Sequence, residues 1–181
     1  MKMCGPLLLA ILMTVVPPVK AQTLPNQPVS QLDLSRYLGK WHEIAHLPLF
    51  FQRQCQDRIT ATYSRLGHDQ IQVLNTCRTK DGVIDAAEGV ARPRREGGPG
   101  ALEVRFAPGW LSWLPWVWAD YWVVEIDPDY QWAVVGSPSC KYLWVLSRSP
   151  SMRQAQFDAI RDRAAARGYP VAKLMVTAPL D

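Results

Sequence analysis

Tyr121-Trp122-Val123-Val124-Glu125-Ile126-Asp127-Pro128-Asp129-Tyr130-Gln131-Trp132-Ala133-Val134-Val135-Gly136-Ser137 decides the fold. Two runs rich in β-branched and aromatic residues, Tyr121 to Asp127 and Tyr130 to Ser137, flank a break. In that break Pro128 fixes φ, and the two aspartates can bond their own backbone. A three-residue link leaves no room for the crossover helix that parallel strands need, so the pair is an antiparallel hairpin.

The same period-two pattern continues outward in both directions. It gives strands at approximately Gly39 to Leu47, Ile59 to Arg65, Gln70 to Cys77, Asp85 to Ala91 and Ala101 to Phe106 before the hairpin, and Tyr142 to Arg148 after it. Turn residues separate them at Leu66-Gly67-His68-Asp69, Lys80-Asp81-Gly82 and Glu96 to Gly100. Short links make an all-β, eight-stranded antiparallel up-and-down barrel. Beyond Arg148 the period becomes helical. Ser149 or Ser151 serves as cap, Pro150 suits the first turn, and Met152, Phe157, Ile160 and Ala164 share a face until Gly168 and Pro170 end it. One C-terminal α-helix therefore packs outside the barrel.

The chain has 181 residues, 48% of them hydrophobic and 20% charged, which excludes disordered, collagen-like and coiled-coil chains. Lys2, the apolar run Leu7 to Val16, Pro17-Pro18 and Val19-Lys20-Ala21 read as a secretory signal peptide over 1–21. Residues 22–181 then form a single domain. Two of the net four positive charges lie in that leader, so no basic patch speaks for nucleic acid. Arg92, Arg94 and Arg95 read as a solvated turn. Export to an oxidising compartment suits Cys55, Cys77 and Cys140, of which one pair bonds. Cys55 and Cys77 bracket the hairpin that turns at Gly67, and their direct opposition needs a bulge near Cys55; Cys55 with Cys140 is the rival pairing. His42, His46 and His68 are scattered and no ligand spacing occurs, so no metal or other cofactor is expected.

Three ordered motifs carry a resemblance: Gly39-Lys40-Trp41 opening the first strand, Asp127-Pro128-Asp129-Tyr130 after the sixth, and Tyr142-Leu143-Trp144-Val145-Leu146-Ser147-Arg148-Ser149-Pro150 leading into the helix. The chain resembles the lipocalin family. Tyr37 to Ala45 and Ile59 to Ser64 look like its bacterial outer-membrane members, which are similar to apolipoprotein D. The resemblance implies a small lipid ligand. It implies export, to the periplasm or outer membrane in a bacterium and by secretion otherwise. Many bacterial relatives carry a lipidated cysteine at the mature N-terminus, and no cysteine stands there in this sequence.

Alternating strand direction gathers the three motifs at one end, where Gly39, Trp41 and Arg148 form a structural floor with the guanidinium over the indole. The opposite end is the mouth. Its links are apolar: Leu47-Pro48-Leu49-Phe50-Phe51, and the stretch from Trp110 to Trp118 that contains Trp113 and Trp116. Phe50, Phe51, Trp110, Trp113, Trp116 and Trp118 suit a reversible contact with a membrane surface. Side-chain parity assigns the lining to Tyr63, Asn75, Val104, Phe106, Trp122, Tyr142 and Trp144. Ala45 and Glu43 share the face of Trp41, and Val124 and Ile126 share that of Trp122. Such a lining binds an apolar molecule with a polar end, a fatty acid or lysophospholipid. The alternatives are an enzyme on the same scaffold, with Cys140 its best nucleophile, and a protein-interaction module using the Trp-rich loop. No catalytic motif is present in the sequence to favour the enzyme.

Overall fold

A computed structural model describes residues 23–181 except His68, Asp69, Trp113, Pro115 and Trp116, and describes the backbone but not the side chain of Trp110. The leader over 1–21 and two residues of the first turn therefore lie outside the described residues. Eight strands follow in order: β1 (Gly39–His46), β2 (Cys55–Leu66), β3 (Gln70–Thr79), β4 (Ile84–Pro93), β5 (Ala101–Arg105), β6 (Ala119–Ile126), β7 (Trp132–Gly136) and β8 (Leu143–Ser147). Each pairs antiparallel with the next, and β1 pairs with both β2 and β8, so the barrel closes. A short helix α1 (Leu34–Tyr37) precedes β1, and α2 (Gln154–Ala166) follows β8. A two-residue strand β9 (Met175–Val176) then pairs with the mouth end of β1, an element that no pattern in the tail announced.

The apolar residues divide into two clusters separated by the barrel wall. Inside, Tyr37, Trp41, Tyr63, Val73, Val123, Val135 and Leu146 fill the floor. Outside, Ile44, Val124, Val134 and Val145 meet Met152, Phe157, Ile160 and Ala164 of the α2 region. The face expected for the helix is thus the face it buries. Its start differs from expectation. The N-cap position is Arg153, without a side-chain cap, and neither Ser149 nor Ser151 serves. Instead the Gln154 N–H donates to the Asp181 carbonyl at 2.7 Å, so the end of the chain satisfies an orphan donor of the first turn.

Two bulges change which residues face inward. On β1 the register against β8 slips between Glu43, opposite Leu146, and Ala45, opposite Val145. Glu43 stays inside while Ala45 joins the outer cluster, contrary to strict alternation. On β6 the register slips between Val123, opposite Val135, and Glu125, opposite Val134. Val123 and Ile126 consequently face in, and Trp122 and Val124 pack under α2. Glu125 accepts from Arg163 Nε at 2.6 Å on that outer side.

Cys55 and Cys77 form a disulfide with Cα atoms 5.5 Å apart. The β2 register against β3 slips twice between Cys55 and Thr60, with Arg58 at φ 52°, which supplies the irregularity that this pairing requires. Cys140 is left free.

Candidate ligand-binding site

The wall encloses a cavity of about 560 Å³ that opens at the mouth. Small residues leave the space: Ala61 on β2, Ala86 and Ala87 on β4 and Ala119 on β6 all line it. Larger lining groups come from β2, β3, β5 and β8 and the residues just beyond two of these strands: Tyr63, Asn75, Val104, Trp144 and Leu146, with Phe106 after β5 and Tyr142 before β8. Six of the seven lining residues assigned from sequence therefore do border the cavity. Trp122 does not. It was placed inward by opposition to Glu125, but α2 covers the outer wall of β6, so that strand is apolar on both faces and alternation is uninformative there.

Polar groups stand at two depths. At the blind end the Tyr121 hydroxyl lies 2.8 Å from that of Tyr37 and 2.7 Å from that of Tyr63, a three-hydroxyl chain. Burial raises all three phenols, Tyr63 to about 12 and the others further, so they are neutral donors and acceptors. Higher in the barrel, Glu43 is 5% exposed. Gln52 Nε2 donates to its Oε2 at 2.7 Å and the Thr177 hydroxyl to its Oε1 at 3.3 Å. Burial outweighs these bonds and the nearby His46 ring, and it raises the carboxyl above the ordinary range. His46 Nδ1 donates to the Leu47 carbonyl at 2.8 Å, and its Nε2 lies 3.9 Å from Glu43 Oε1. Gln52 also accepts from the Trp144 indole at 3.5 Å, so one glutamine ties the acid to an aromatic wall in which the Tyr142 and Trp144 rings lie parallel within 13°.

Tyr37, Tyr121 and Gln52 were not found from the sequence. Tyr121 was hidden by the wrong parity of β6. Tyr37 belongs to α1, too short to leave a period, and Gln52 lies on a single 3₁₀ turn over Phe50–Gln52.

The floor is as expected. Arg148 lies 3.7 Å over the Trp41 ring and donates to the carbonyls of Arg36, Leu38 and Lys40 at 2.7, 2.9 and 2.9 Å. Gly39 has φ +95°, and a Cβ there would meet Arg148 Nη1 at 3.3 Å, which is why glycine opens the strand.

At the mouth, Phe50 is 72% and Phe51 49% exposed, with their rings edge to face. Val83 and Ile84 on the β3–β4 link, Phe106 after β5 and Tyr142 before β8 are exposed as well, so every link at this end presents apolar surface. The side chains of Trp110, Trp113 and Trp116 lie outside the described residues. Trp118, at the mouth end just before β6, is half-buried: its ring packs beneath Arg92 at 3.9 Å and Arg105 at 5.2 Å, and its Nε1 donates to the Ser112 carbonyl. Cys140 is half-buried, with Asn26 Nδ2 3.3 Å from its sulfur, and burial raises its thiol, the opposite of what a nucleophile requires. Among the described residues no cluster of histidine, cysteine or carboxylate side chains could hold a metal, and no helix is long and apolar enough to cross a membrane.

Comparison with known proteins agrees with this geometry. Residues 32–179 match the model of a lipocalin-like domain. The chain is 38% identical over 156 residues to temperature-induced lipocalin-1 of Arabidopsis thaliana, covering 84% of this chain and 82% of that protein. It is 32% identical to the outer membrane lipoprotein Blc of Vibrio cholerae, over 82% and 84% of the two chains. It is 28% identical to mouse apolipoprotein D, over 84% and 80%. In fold it superposes on insecticyanin of Manduca sexta with a TM-score of 0.66 at 23% identity, covering 89% and 88%.

Proposed function

The chain belongs to the lipocalin family, whose members bind small hydrophobic ligands, and from that premise we propose that it is an exported carrier of one lipid-class amphiphile. The observation that carries this reading is the 560 Å³ cavity itself, left open by alanines on three strands where larger side chains would have filled the barrel. A cavity of that size lies within the ~300–1,000 Å³ range of small-molecule sites. Its walls are largely aliphatic and aromatic, and most of its polar groups, Asn75 excepted, are already hydrogen-bonded in place, which favours a ligand that is apolar over most of its length. Export rests on the disulfide, on relatives named as outer-membrane lipoproteins and on the leader read in residues 1–21.

The exposed apolar rim supports a second element of the same reading: the mouth touches a membrane reversibly while ligand passes. Phe50, Phe51, Val83 and Ile84 come from two separate chain segments at the same end of the barrel, and apolar surface gathered at one end is costly unless it is used.

Two variants test the parts separately. Ala87→Trp, at a lining position, should abolish uptake of the neutral fluorescent probe N-phenyl-1-naphthylamine without lowering the melting temperature. The double variant Phe50→Ser with Phe51→Ser should weaken association with phospholipid vesicles and slow uptake from them, leaving affinity for the dissolved probe within about twofold. Undiminished uptake by Ala87→Trp would overturn the cavity as the site. Undiminished vesicle association by the Phe double variant would overturn the docking element.

A further inference from the structure

Among the described residues, the ionisable groups that line the cavity besides phenols are all acids, Glu43, Asp85 and Asp120, of which Asp120 is already paired with Arg94. The cations of the mouth end lie outside that lining: Arg53, Lys80 and Lys141 on links, Arg58, Arg78 and Arg105 on strands, with Arg78 paired to Asp57 and Arg105 over the Trp118 ring. A carboxylate drawn into the barrel would find no lysine or arginine among the described lining residues and would face Glu43, the one carboxyl in the lining that is almost wholly buried, whose nearest basic group, the His46 ring, lies behind it at 3.9 Å from Oε1. Burying an unpaired anion is among the most unfavourable steps a binding site can take.

We propose, resting on the carrier reading, that the barrel selects an amphiphile with an amine head, whose nitrogen docks on Glu43 against the aromatic wall of Trp144 and Tyr142. The geometry favours this pairing in three ways. Glu43 borders the cavity, and its two oxygens are held by Gln52 and Thr177, so the carboxyl cannot swing to meet the surface. Gln52 joins the acid to Trp144, whose ring with that of Tyr142 offers the negative π-face that attracts ammonium. An amine and Glu43 share a single proton between them, as ammonium with carboxylate or as amine with carboxylic acid. The docked pair is neutral overall in either form. A fatty acid has no such neutral arrangement unless it takes up a second proton. At the rim, Asp85 stands beside Gln54, its Oδ2 accepting at 3.1 Å, and adds attraction for an incoming cation.

The test compares dodecylamine, dodecanol and dodecanoic acid as displacers of the neutral probe N-phenyl-1-naphthylamine at pH 7, in the wild-type protein and in Glu43→Gln. In the wild type the amine should displace at a concentration at least tenfold below that of the acid, with the alcohol between them. In Glu43→Gln the amine should lose at least tenfold and the alcohol should change less than threefold. Equal potency of amine and acid in the wild type overturns the proposal even if the variant fails to fold. Equal loss for all three compounds in the variant overturns it too, since Glu43 would then act only by anchoring Gln52 and Thr177. Both of those outcomes leave the carrier reading standing. Failure of the probe and all three compounds to bind would instead remove the carrier reading and the proposal together.

Discussion

Arg148 sits 3.7 Å above the ring of Trp41, and the same guanidinium reaches the carbonyls of Arg36, Leu38 and Lys40, so one side chain ties β8 to α1 and to the start of β1. Both residues lie at the blind end, away from the mouth. Trp41→Ala removes a fully buried indole and should cost ~3–5 kcal/mol. Arg148→Ala strands several carbonyls at ~1–3 kcal/mol for each that water cannot reach. Arg148→Lys should recover less than half of the loss, because an ammonium lacks the planar fork. Urea unfolding measures these costs, and fluorescent-lipid affinity at a temperature where each variant is folded should stay within a few-fold. Loss of affinity with an unchanged urea midpoint would contradict a structural role.

The Cys55–Cys77 bond closes a separation of 22 residues. On the chain-entropy estimate its removal by Cys55→Ala with Cys77→Ala should destabilise by ~3 kcal/mol. Thermal unfolding of the wild type with and without reductant gives the same comparison without substitution. Because Cys55 also borders the cavity, a modest fall in ligand affinity should accompany the loss.

Gly136 is the point where the tail docks on the wall. A Cβ at this residue would overlap the Tyr169 ring, whose hydroxyl donates to Asn26 Oδ1 at 2.8 Å. Gly136→Ala should therefore destabilise by ~1–3 kcal/mol through overpacking. Hydrogen exchange should show the segment after α2 opening first, with the barrel strands still protected.

The tyrosine chain sets an alkaline limit. Tyr63 is raised from 10 to about 12 by burial, and Tyr37 and Tyr121 are raised further. Between those values the unfolded chain loses protons that the folded chain keeps. Stability is thus fully present below pH 10 and falls as pH rises toward 12. Tyr63→Phe should flatten this fall in urea titrations at pH 9, 10 and 11. An identical slope in wild type and variant would show that the hydroxyl chain is not responsible.

How much of this was legible in the sequence depended on what covers each strand. On β2, β3 and β5 a polar outer face opposes the lining, so Tyr63, Asn75 and Val104 could be assigned by alternation. On β6 the outer face lies under α2, and Trp122 looked as eligible as Tyr121. The bulges at Ile44 and Val124 cannot be seen in a one-dimensional pattern, since they express how neighbouring strands fit rather than any local preference. The floor was fully legible because glycine, tryptophan and arginine each meet a requirement that few other residues satisfy. The polar chemistry of the cavity was less so. Glu43 stood out as a charge on an inward face, but its partners Gln52 and Thr177 come from a turn and from the tail.

The central claim is that the barrel holds one amphiphile, and native mass spectrometry of the protein purified without detergent, then incubated with a mixture of long-chain amphiphiles, tests it most directly. The account expects a single adduct per chain with the mass of one small amphiphile, lost in Ala87→Trp. A bare chain that takes up none of the mixture, or an adduct that persists undiminished in Ala87→Trp, would contradict it.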